Sequence, residues 1–67
     1  MDIRLCDLIH IIDFYKGVKI ALLVDGYYFL FNGRDDLFNS QIFKHVFFHN
    51  VKLVTIYPFS IEITVEY

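Results

Sequence analysis

His45 and His49, four residues apart, are the first pair whose types and spacing could do chemistry. On a helix that spacing sets two imidazoles on one face, an arrangement that zinc sites use. The residues between them are Val-Phe-Phe, with no glutamate beside the first histidine, so the metalloprotease pattern is missing. In a strand the two rings would share a face about 13 Å apart, too far for one ion. The segment reads as a strand face with a polar rim, and no metal is assigned. Asp7, His10 and Asp13 repeat every three residues and would stack along one side of a helix. Such groups can move protons, but no nucleophile is near in sequence, and a surface helix needs a solvated side. Asp25, Asp35 and Asp36 would offer carboxylates to a hard cation, but a hairpin puts Asp25 and Asn32 at opposite ends of one strand. Cys6, between apolar neighbours and without an adjacent base, reads as a small core residue. The three glycines, Gly17, Gly26 and Gly33, are isolated, so no loop cradles a phosphate. No catalytic, cofactor-binding or metal-ligating residue is assigned, and the expectation is a non-enzymatic protein.

The aromatic residues carry more weight. Tyr27, Tyr28, Phe29 and Phe31 crowd one segment, and Phe43, Phe47, Phe48, Tyr57, Phe59 and Tyr67 follow. Aromatic rings on a sheet can stack bases, but such surfaces add a basic groove. Here six basic residues face eight acidic ones, for a net charge of −2, and no two basic residues are adjacent. Nothing draws a polyanion in. Nucleic-acid binding, including a transcriptional accessory role, is therefore the alternative reading. Protein contact is the favoured one, because surplus rings beyond a core form protein–protein surfaces.

Residues 3–15 carry an apolar stripe at Leu5, Leu8, Ile9 and Ile12 with helical spacing. Asp2 would cap the first turn, and Gly17 would close the last, next to Lys16. Residues 18–24 and 27–31 flank Asp25-Gly26, the strongest short hairpin signal. A two-residue turn pairs Val24 with Tyr27, Leu23 with Tyr28, Leu22 with Phe29, Ala21 with Leu30 and Ile20 with Phe31. Around Asn32-Gly33 the chain turns polar, and a short helical turn capped by Asn32 or Asp35 fits there. Residues 42–49 alternate poorly and are read as a strand buried on both sides. Residues 51–57 and 61–67 read as strands, separated by a turn near Pro58.

The expected fold is one α+β domain spanning 1–67: an N-terminal helix packed on an antiparallel sheet of four to five strands. Short connections favour antiparallel pairing, since a parallel crossover needs a dozen or more residues. The chain is 57% apolar and has a single cysteine, which excludes an intrachain disulfide and a cysteine metal cluster. One helix can cover one face of the hairpin, and both faces are apolar. The uncovered face, with Leu23, Tyr28 and Leu30, must be covered by later strands of the same chain curling into a small barrel, by a second copy or by a foreign protein. A homodimer is the expectation, with Leu23, Tyr28, Leu30 and the amphipathic Tyr57 as the candidate interface. No leader segment and no membrane-spanning run of 18 apolar residues is read, and a free cysteine without a secretion signal points to the cytoplasm. Size and composition match a small inhibitor or a viral or mobile-element accessory protein acting by direct contact.

Overall fold

The structure is a computed structural model that describes residues 3–12, 14 and 17–67. In chain order the elements are α1 (Leu5–Ile11), β1 (Lys19–Val24), β2 (Tyr27–Phe31), α2 (Arg34–Phe38), α3 (Gln41–His45), β3 (Val51–Ile56) and β4 (Ser60–Val65). The architecture is α+β, with the N-terminal helix packed on a sheet of four strands in the order β2-β1-β4-β3.

The β1–β2 hairpin has the register that its turn dictates, with Val24 opposite Tyr27 and Ile20 opposite Phe31. Asp25 at φ 50 and Gly26 at φ 82 are both left-handed, the requirement of a type I′ turn. β3 and β4 form a second antiparallel hairpin, with a register irregularity between Val51 and Leu53. The two hairpins join through β1 and β4, which run parallel from Lys19↔Ser60 to Val24↔Val65. The sheet is thus mixed and not antiparallel throughout. The crossover rule concerns directly connected strands; here β2, α2, α3 and β3 lie between the parallel pair.

Alternation sorts each strand into two faces. Ile20, Leu22, Val24, Phe31, Ile61, Ile63 and Val65 point to the helical side and join Leu5, Leu8, Leu37, Phe43 and Val46 in one buried cluster. Ile9, Ile12, Phe14 and Phe29 are half-buried against it.

The first helix is shorter than the 3–15 stripe implies. Ile12 is already extended (φ −82, ψ 130), so β-branched isoleucine leaves the helix while still packing on the core. Gly17 has a left-handed φ of 84 but lies beyond the helix end, in the approach to β1. Asp2, Asp13, Tyr15 and Lys16 lie outside the described residues. The N-cap is Arg4, which makes no side-chain cap bond. The first helical N–H groups are satisfied by tertiary contacts instead: Leu5 N–H donates to the His49 carbonyl at 2.8 Å and Cys6 N–H to the Phe47 carbonyl at 2.9 Å.

Residues 42–49 are not a strand. Gln41–His45 is helical and 46–49 are turn. The apolar buried or half-buried positions of the segment are Ile42, Phe43, Val46 and Phe47, which is helical spacing. Ser40 caps the helix: its Oγ accepts from Phe43 N–H at 3.2 Å and donates to the Leu37 carbonyl at 2.8 Å. The short helical turn expected after Asn32 is α2, but its N-cap is Gly33 rather than Asn32 or Asp35. Asp36 accepts the Asn32 backbone N–H at 2.9 Å.

Candidate interaction surface

α1, α2 and α3 all contribute to the cluster on one side of the sheet. The register places the remaining strand residues on the other side in rows. One row runs Leu30, Ala21, Glu62, Thr55 from β2 to β3, and the next runs Tyr28, Leu23, Thr64, Leu53. No element of the described chain packs over these rows. Leu30 is 68% exposed, Leu53 55% and Tyr28 54%. Leu23 is half-buried, and Tyr57 is exposed at the end of β3. The four candidate interface residues thus share one surface, joined there by Leu53, which the sequence reading did not single out. Pairing of β3 with β4 is what puts it there, and that pairing register is not visible in β3 alone.

Glu62 sits in the middle of this apolar surface. The Tyr28 hydroxyl donates to its Oε1 at 3.1 Å, and the Tyr57 hydroxyl lies 3.5 Å from its Oε2. Ala21, between β2 and β4 in the row, is small enough to let Tyr28 reach across. The hydrogen bond to Glu62 holds the Tyr28 phenol above its ordinary pKa of 10.0, helped by desolvation and by the negative charge of Glu62. The folded chain therefore keeps this proton more tightly than the unfolded chain does. The stabilisation is present below the ordinary tyrosine value and is lost as pH rises through the raised folded value. Glu62→Gln is expected to bring the Tyr28 transition down toward the ordinary value. Titration of phenolate absorbance, with Tyr28→Phe to assign the step, checks this; an unmoved transition would refute the Glu62 contact.

The histidines fall elsewhere. His45 ends α3 and His49 lies in the following turn, with ring centroids 6.3 Å apart rather than at strand spacing. His45 Nε2 is 3.2 Å from the Tyr67 hydroxyl, and His49 Nδ1–H donates to the Glu66 carbonyl at 3.2 Å. The His49 ring stacks on Tyr67 at 5.4 Å. Together these contacts hold the residues after β4 against the α3 turn. Asp7 and His10 are exposed on α1. Asp25 lies in the β1–β2 turn, while Asp35 and Asp36 open α2 at the other end of β2. Cys6 is a half-buried free thiol. Among the described residues no group of three or more His, Cys, Asp or Glu gathers to hold a metal, and no helix is long and apolar enough to cross a membrane.

The surface that these observations single out is thus the helix-free side of the sheet, and it stands without a precedent to lend it a role: no family model, no curated protein and no solved structure matches this chain.

Proposed function

We propose that this is a small non-enzymatic binding protein that self-associates as a homodimer and acts by direct contact with another protein in the cytoplasm. The observation that supports this reading is the helix-free sheet surface, with Leu23, Tyr28, Leu30, Leu53 and Tyr57 on one side of the chain. Apolar and aromatic residues gathered on one exposed sheet surface are characteristic of protein interfaces. Tyrosine suits such a boundary, with an apolar ring and a polar tip. The Glu62 carboxylate at its centre weighs against a nucleic-acid surface, since it repels phosphate.

Sedimentation equilibrium at micromolar concentration is the direct test of self-association. The expected mass is twice the 8.0 kDa of the chain, falling toward the monomer on dilution. A monomer at every concentration would overturn the homodimer. For the partner, retention of a stoichiometric protein by the wild-type chain, lost with Tyr57→Asp, is the supporting result. Salt-sensitive binding to nucleic-acid probes instead would favour the alternative.

A further inference from the structure

Resting on the self-association reading, we propose that two copies join edge to edge through β2, forming one continuous eight-stranded sheet. β2 is an outer strand, with β1 as its sheet neighbour. In a two-residue hairpin the closing pair, Val24 and Tyr27, exchanges both backbone hydrogen bonds, and such pairs recur at every second residue. Tyr27, Phe29 and Phe31 therefore turn their N–H and C=O groups toward β1. Tyr28 and Leu30 turn theirs away from the sheet. The next outward N–H, that of Asn32, is already taken by Asp36 at 2.9 Å. The open stretch is thus a pair of donors and a pair of acceptors on either side of Phe29.

That arrangement is self-complementary. A twofold axis at Phe29 sets Tyr28 opposite Leu30 of the second copy, and Leu30 opposite its Tyr28, with four backbone hydrogen bonds between the strands. Each Tyr–Leu pair meets on the helix-free side as an aromatic–aliphatic cross-strand pair. On the helical side the incoming strand presents a second Tyr27, Phe29 and Phe31. The helices leave room for them: a shallow concavity of about 580 Å³ runs beside β2, lined by Phe29, Phe31, Ser40, Gln41, Ile42 and His45.

The other edge and the other mode fit less well. β3 carries Lys52 and a register irregularity between Val51 and Leu53, the features that protect an edge from pairing, whereas β2 reads Tyr-Tyr-Phe-Leu-Phe without charge, proline or bulge. Stacking two copies face to face about a twofold axis would bring two Glu62 carboxylates toward each other in a closing apolar interface. Like charges oppose that, and Lys19, on the same side of the sheet, is already bonded to Asn32 Oδ1 at 2.8 Å. Edge pairing leaves both Glu62 side chains in water. It also extends the helix-free surface across eight strands, with Leu23 and Tyr57 of both copies left for the partner protein.

Three readouts on the full chain test this. Leu30→Pro deletes an outward N–H that β1 does not use, a position an edge strand tolerates. It is expected to keep the monomer's circular dichroism and abolish the dimer. Leu53→Lys, far from β2 on the helix-free side, is expected to leave the dimer intact. In the wild type, amide exchange at Tyr28 and Leu30 should slow by on the order of tenfold or more as concentration rises through the dissociation constant. That third readout decides the matter if Leu30→Pro does not fold. A wild-type dimer with unprotected Tyr28 and Leu30 amides, dissociated by Leu53→Lys, would overturn edge pairing while leaving the homodimer standing. A wild-type monomer at all concentrations would overturn both.

Discussion

Truncating Leu22 to alanine is expected to cost about 2–5 kcal/mol, since it leaves a cavity in a packed core. Leu22 is fully buried in the central strand β1, between Phe29 and Ile63 in register, and belongs to the core cluster shared by the sheet and the helices. A chain of 67 residues has a total stability of roughly 3–10 kcal/mol at ordinary values per residue, so this one change removes a large share of it or all of it. Urea titration followed by circular dichroism reads the loss. Leu30→Ala lies in the same hairpin but on the exposed side, and is expected to fall within about 0.5 kcal/mol of wild type when measured on the monomer. Equal costs at the two positions would mean that the two faces had been assigned wrongly.

Gly26→Val is the second large expected effect. At φ 82 the glycine sits in a left-handed conformation, which costs an ordinary residue about 1–2 kcal/mol and a β-branched one more. A side chain at Gly26 would meet no atom within 4 Å, so the penalty is one of backbone conformation and not of crowding. Gly26→Ala should therefore lose about 1–2 kcal/mol, with valine losing more still. Asp25→Asn should be close to neutral, because asparagine also tolerates positive φ. If alanine and valine were both silent, the type I′ turn would be refuted.

The legibility of this fold varied with how local its determinants are. Asp25-Gly26 is a two-residue signal with a narrow conformational meaning, and it fixes five cross-strand pairs at once. The helical stripe at Leu5, Leu8, Ile9 and Ile12 likewise specifies a packed face, though not where the helix stops, since that depends on Ile12 finding the core from an extended conformation. The segment 42–49 misled because Ile, Phe and Val favour strands by propensity. The spacing of Ile42, Phe43, Val46 and Phe47, with Ser40 in capping position, is the helical signal that outweighs propensity. The parallel pairing of β1 with β4 leaves no local trace at all, because it is decided by the shared core beneath. For the surface, Leu23, Tyr28 and Leu30 followed from the hairpin alone. Leu53 and the central Glu62 needed the strand order.

The parallel junction also sets a timetable for folding. The partners across β1 and β4 are 41 positions apart in the chain, while those across the β1–β2 turn, from Val24↔Tyr27 to Ile20↔Phe31, are 3 to 11 apart. Hairpins close in about 1–10 μs, whereas a distant pairing must first meet the entropy of a long loop. β1 therefore spends the interval with its inner edge and its buried side chains, Leu22 among them, unshielded. During synthesis that interval lasts until Ser60–Val65 have been made and released, so the strand that completes the centre of the sheet is also the last of the four to arrive. A strand buried in the finished molecule is, for that period, an unpaired apolar edge of the kind that invites aggregation.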